Sequence, residues 1–195
     1  MKKWKMNLAL SLCLLAGCAS APADPQTEND EPVQTPLACE AGSENCEAKT
    51  DAEADFTEIE FDDAIALFEE GKSGVLYFGF AACPWCEEAV PILDEEAKKA
   101  GTQILFVRTR DENKERLYTD EQKEKIQKWI EKYMSENEEG ELTLYVPLVV
   151  RVENGEAVAG HQGTVEEHDA HERKMSADEQ KEVRKIYAEL VKPLA

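Results

Sequence analysis

A nearly continuous apolar run, Val75 to Phe80, leads almost directly into Cys83-Pro84-Trp85-Cys86. That junction constrains the fold more than any other stretch. An apolar run of this kind is typical of a strand covered on both faces. Pro84 suits the first turn of a helix, where no amide bond is lost. A helix therefore opens at Cys83 and runs to about Ala100, with Pro91 inside it. A thiolate at a helix N-terminus is stabilised by unpaired amides and the helix dipole. This makes Cys83 the exposed nucleophile and Cys86, one turn in, the resolving thiol. Half a zinc site is the other chemistry open to C-x-x-C. Zinc takes four ligands, usually with a second pair nearby, and the only other pair past the N-terminal segment is Cys39 and Cys46, with six residues between them. The redox reading is the stronger one.

The rest of the folded region alternates strand and helix signals. Thr57 to Phe61 alternates like a half-buried strand, and Phe61, Ala64, Ile65 and Phe68 then follow helical spacing up to Gly71. Ile104 to Val107 reads as a second buried strand. Thr119-Asp120-Glu121-Gln122 matches a capping box, followed by an apolar stripe of Ile126, Trp129, Ile130 and Tyr133. Trp129 and Tyr133 read as core. Tyr145 to Val152 is a strand interrupted by Pro147, Asn154-Gly155 is a hairpin turn, and Glu156 to His161 is the return strand. Ser176-Ala177-Asp178-Glu179 opens a last helix with Val183, Ile186, Tyr187, Leu190 and Val191 inward. The order β-α-β-α-β-α-β-β-α implies an α/β fold, a mixed central sheet with helices on both faces.

Ahead of this domain, expected over 56–195, lie two segments of other character. Residues 1–17 read as a leader: Lys2, Lys3 and Lys5 precede the short apolar stretch Met6 to Ala16. Leu15-Ala16-Gly17-Cys18 resembles the bacterial lipobox. That resemblance implies cleavage before Cys18 and a diacylglyceryl group on its thiol, and hence an extracytoplasmic protein lipid-anchored to a cell membrane. Residues 18–55 have tether composition: four prolines, ten acidic residues and one basic residue, Lys49. Such a chain buries too little apolar surface to order itself. Cys39 and Cys46 lie in it. They suit a small local disulfide loop, or a second redox pair that exchanges with the main site.

Acidic residues number 42 against 22 basic, a net charge of −20. Phosphate backbones are repelled by such a chain, so nucleic acid is not a partner. An anionic lipid surface finds no polybasic face, and no apolar run outside the N-terminus is long enough to span a bilayer. No cofactor is called for: neither a Gly-rich phosphate loop nor a Ser-His-Asp order stands out. His161, His168 and His171 sit among Glu166, Glu167, Asp169 and Glu172, which reads as a solvated acidic loop rather than a metal site.

Strand, C-P-W-C, Pro91 in the helix, Pro147 opening a later strand, and Asn154-Gly155 with Gly163 together resemble the thioredoxin-like superfamily over roughly 56–109 and 142–195. With the lipobox, the whole is similar to extracytoplasmic thioredoxin-like lipoproteins, including bacteriocin-transport accessory proteins. The resemblance implies a cis peptide at Val146-Pro147, facing the dithiol and pairing through its backbone with bound substrate. Pro84, Trp85, Val146 and Pro147 then support catalysis by Cys83 and Cys86. The implied partners are protein thiols or disulfides and a redox partner. Two departures stand out. Tyr77 occupies a position where many thioredoxins carry a buried acid, and Glu87 and Glu88 bring negative charge close to the Cys83 thiolate. Segments 110–141 and 164–175 are insertions, the first a helical one before the cis-proline strand. The alternative from another class is a non-catalytic binding module, such as a copper-handling protein, because soft thiolates favour Cu(I).

Overall fold

In a computed structural model of the chain, residues 54–194 are described. The expected leader, most of the expected tether, and Cys18, Cys39 and Cys46 lie outside the described residues. The described residues run β1 (Thr57–Ile59), α1 (Phe61–Glu69), β2 (Gly74–Gly79), α2 (Pro84–Ala100), β3 (Ile104–Arg108), α3 (Asp120–Ile130), a 3-10 turn (Glu131–Tyr133), β4 (Ser135–Glu136), β5 (Leu142–Thr143), β6 (Leu148–Glu153), β7 (Glu156–Gln162) and α4 (Ala177–Leu190). The main sheet has the order β1-β3-β2-β6-β7. β1, β3 and β2 are parallel, and β6 runs antiparallel to both β2 and β7.

The sheet divides the core in two, which explains why the β2 sequence lacks polar alternation. Leu76 and Phe78 pack with Phe61, Ile65 and Phe68 of α1 and Ile126 and Ile130 of α3. Val75 and Tyr77 pack on the other face with Val90 and Leu93 of α2 and Val183, Tyr187 and Leu190 of α4. Each face buries side chains of alternating register, and so every residue of β2 is buried.

Local signals place most of the boundaries. Thr119 Oγ1 accepts from the Gln122 amide while the Gln122 side chain accepts from the Thr119 amide, and Ser176 and Glu179 repeat the arrangement at α4. Asn154 and Gly155 both have positive φ, 52° and 78°, as the turn between β6 and β7 requires. α2 continues unbroken past Pro91. The insertion before β6 is indeed helical. Trp129 of α3 stacks on Phe68 with ring centroids 5.1 Å apart, and Tyr133 packs at the edge of the same cluster.

Two boundaries and one element depart most from the sequence reading. β1 ends at Ile59 rather than Phe61, because Phe61 opens α1 and stacks on Tyr118 at 4.8 Å. β6 begins at Leu148 rather than Tyr145, since Pro147 has no N–H to offer a ladder. The two-residue strands β4 and β5 pair in a small separate hairpin that no periodicity announced. The tether reading also runs slightly too far. The Asp55 amide donates to Asp94 Oδ1 (3.2 Å), its carbonyl accepts from Gln103, and Ala54 packs on the core.

Two charged groups tie α4 in place. Arg151 on β6 donates to the carbonyl of Leu190, an acceptor that the helix end leaves unpaired, and to those of Lys192 and Pro193 just beyond it. Arg184 joins Glu95 and Glu96 of α2 at 2.6 and 2.7 Å, and Lys99 meets the same two carboxylates. Burial pushes the Glu95 carboxyl up, but the hydrogen bonds from Lys99 and Arg184 outweigh it and hold it below the ordinary glutamate range. Among the described residues no helix is long and apolar enough to cross a membrane.

Candidate active site

β2 ends at Gly79, and a short loop carries the chain to the N-terminus of α2. Cys83 is the cap of that helix and Pro84 fills its first position. The Cys83 sulfur accepts from the Cys86 amide at 3.2 Å, so the sulfur sits where the unpaired amides point. Cys83 and Cys86 are joined as a disulfide, with Cα atoms 5.1 Å apart. Val146-Pro147 is a cis peptide, and the Val146 carbonyl oxygen lies 3.7 Å from Cys83 Sγ. Residues 63 positions apart in sequence thus meet at one sulfur.

Cys83 is not the exposed residue that the sequence reading expected. It is 2% exposed and Cys86 is 1% exposed. The capping geometry turns the sulfur inward towards the Cys86 amide, and the Val146 carbonyl lies against it. Exposure therefore does not separate the two cysteines. Their hydrogen-bonding surroundings do.

Tyr77 accounts for the first departure. It is fully buried, stacked on Phe106 at 5.3 Å and edge-on to Phe56 at 5.6 Å. Its ring runs along the strand until the hydroxyl lies over Gly79, where any side chain would overlap it. An aromatic ring thus packs in the α2–α4 core, and a glycine two residues on makes room for its hydroxyl.

The loop 163–176, between β7 and α4, corrects the reading of the histidines. Glu166, Glu167, Asp169 and Glu172 are exposed, as a solvated loop requires. His168 is buried, and its Nε2 lies 3.3 Å from Glu88 Oε1. Glu88 Oε2 accepts from the Met175 amide at 2.6 Å, and Lys174 Nζ is 3.9 Å from the same carboxylate. Trp85 Nε1 donates to the His168 carbonyl (3.2 Å), and the His171 ring stands edge-on to the indole at 4.7 Å. His161 Nε2 meets the Thr164 carbonyl at 2.6 Å. The segment is a strap lying across the first turns of α2. Glu88 is engaged by this strap, while Glu87 is more exposed and lies 3.9 Å from Lys174.

Three parallel strands followed by an antiparallel pair, a disulfide capping the helix after β2, and a cis-proline ahead of β6 complete the pattern. The fold is thioredoxin-like. No family model and no curated protein matches the chain. Among solved structures it is similar to thioredoxin f2 of Chlamydomonas reinhardtii, at 14% identity over 55% of this chain and 83% of that one, with a TM-score of 0.37. It is also similar to an uncharacterized thioredoxin-like protein from Clostridium perfringens, at 18% identity over 69% and 81%, with a TM-score of 0.33.

The thioredoxin-like frame brings Cys83, Pro84, Trp85, Cys86, Val146 and Pro147 to one place. Among the described residues no group of three His, Cys, Asp or Glu side chains is placed to hold a metal ion. Sequence reasoning placed Glu88 near the dithiol but missed the strap side of the site: His168 and His171 as neighbours of the dithiol turn, and the engagement of Glu88 by His168 and Met175. Glu88 and His168 are 80 residues apart, and no local pattern links them.

Proposed function

We infer that the protein is a thiol-disulfide oxidoreductase that exchanges with protein thiols or disulfides outside the cytoplasm. The observation that carries this reading is the Cys83 sulfur itself, which accepts from the Cys86 amide and lies 3.7 Å from the Val146 carbonyl oxygen. In the reduced form, the Cys83 thiolate attacks a substrate disulfide, forming a mixed disulfide and releasing one substrate thiolate. Cys86 then gives up its proton and attacks the Cys83 sulfur. The intramolecular disulfide closes, and the second substrate thiolate leaves. Two electrons pass from the dithiol to the substrate, and the reverse sequence oxidises a substrate dithiol. A substrate segment lying along Val146 would pair with its backbone, as in strand addition.

Titration in glutathione buffers checks this. The Cys83–Cys86 couple is expected to interconvert as one two-electron step, at a potential between about −120 and −270 mV, the range of catalytic dithiols. A disulfide that stays closed below about −300 mV would be structural, and the reading would fail. A couple that interconverts with glutathione but drives no exchange with any protein disulfide would favour the binding-module alternative.

The location rests on Leu15-Ala16-Gly17-Cys18 and on the acidic, proline-containing segment behind it. An acylated Cys18 would hold the folded domain clear of a membrane surface, because two or more acyl chains anchor stably. Cys18→Ala is expected to abolish lipid incorporation and shift the protein out of the membrane fraction. Equal lipid labelling of the variant and the native chain would remove the anchor from this proposal.

A further inference from the structure

The strap packs Met175 and Val165 on the core and is tied to α2 at Trp85 and at Glu88. Glu88 presents a side chain only 7% exposed, and both its oxygens are engaged by the strap: Oε2 by the Met175 amide, Oε1 by His168 Nε2, with Lys174 nearby. Against this, the strap buries Thr164 Oγ1 and His168 Nδ1, neither of which has a hydrogen-bond partner among the described residues. Buried polar atoms without partners oppose the arrangement that buries them. The two hydrogen bonds to the Glu88 carboxylate are among the contacts that offset this cost. What the strap lies against is Trp85, the residue between Pro84 and Cys86, whose indole N–H donates to the His168 carbonyl and whose ring meets that of His171 edge-on.

We propose that Glu88 is a positioning residue: it pins the strap onto Trp85, and the pinned strap restricts the dithiol to narrow disulfides, those of small molecules or extended flexible chains, and excludes disulfides set in a folded protein surface. Exchange requires the substrate sulfur to approach Cys83, which is 2% exposed with the Val146 carbonyl against it. Trp85 lies two residues from Cys83 in the chain, and on this proposal its strap-bound indole is what narrows that approach. Glu88 acts through the strap and takes no part in electron transfer. The cysteines alone carry the two electrons to the attacked disulfide, which leaves as two thiols.

This inference rests on the oxidoreductase reading, and the experiment separates the two. The reduced chain is mixed with oxidised glutathione, a small disulfide, and with insulin, a folded protein carrying disulfides, and the two rates are compared as a ratio. Glu88→Ala is expected to raise the insulin rate about tenfold while the glutathione rate stays within about twofold. Glu88→Gln keeps an acceptor oxygen for the Met175 amide and should stay near the native ratio. Trp85→Phe removes the indole donor to His168 and should move the ratio the same way, which keeps the test open if Glu88→Ala does not fold. A merely structural Glu88 would slow both reactions together. An unchanged ratio in Glu88→Ala, or in Trp85→Phe should the former not fold, overturns the inference. A native chain inert towards both disulfides would sink the oxidoreductase reading, and this inference with it.

Discussion

Cys86→Ala is expected to accumulate mixed disulfides through Cys83, whereas Cys83→Ala accumulates almost none. Both cysteines are nearly inaccessible, at 2% and 1%, so accessibility predicts no difference between them. The difference comes from the helix. Cys83 caps α2, and its sulfur accepts the Cys86 amide at 3.2 Å, so a thiolate there is stabilised by a hydrogen bond and by the aligned peptide dipoles. Cys86 lies inside the first turn. Without Cys86, the mixed disulfide on Cys83 has no internal thiol to release it. Trapping by Cys86→Ala should exceed that by Cys83→Ala by at least roughly tenfold. The comparison is made with Cys39 and Cys46 replaced by Ser, so that neither can resolve the adduct. Equal trapping by the two variants would reverse or cancel the assigned roles.

The largest effect on stability is expected at the tip of the β6–β7 hairpin. Gly155 has φ of +78°, and a Cβ there would sit 2.5 Å from the Phe68 carbonyl oxygen and 2.9 Å from the Gly71 Cα. Both obstacles are backbone at the end of α1, so neither can swing aside. The hairpin is also tied there, with the Gly155 amide donating to Lys72 O at 2.9 Å and the Asn154 amide to Ser73 Oγ at 3.0 Å. Gly155→Ala therefore combines a left-handed backbone penalty of about 1–2 kcal/mol with overpacking, on the order of 3 kcal/mol together. That corresponds to a fall in Tm of roughly 10 °C for a domain of this size. Gly101→Ala separates the contributions. Its φ is +66° with nothing within 4 Å of a new Cβ, so only the backbone penalty applies. If both substitutions lower Tm equally, the contact with α1 contributes nothing.

What was legible in the sequence was what neighbours in the chain decide. The caps at Thr119 and Ser176, the positive-φ pair Asn154-Gly155, the buried run of β2 and the helix start at Cys83 each follow from a few adjacent residues. The cis-proline was legible only through resemblance, since spacing alone does not bring Val146 to Cys83. The burial of Cys83 was misread because the feature that marks a nucleophile, a cap position, also turns the sulfur inward. The strap was misread for a different reason. Its acidic residues do face solvent, and their composition concealed that His168 between them turns the other way, towards a carboxylate on a distant helix. The hairpin of β4 and β5 is too short for any period to register.

The two insertions come to lie on opposite sides of the central sheet. The helical one, with α3 and Met134, joins the α1 face, whereas the strap contributes Met175 and Val165 to the α2–α4 face. The sheet acts as a bulkhead between them. Lengthening or shortening one insertion perturbs a core that the other does not share, so the two can diverge on separate schedules. The α3 side can drift for the sake of solubility or robustness while the dithiol keeps its surroundings. The strap side can be remodelled for a new client without renegotiating the packing of the opposite layer.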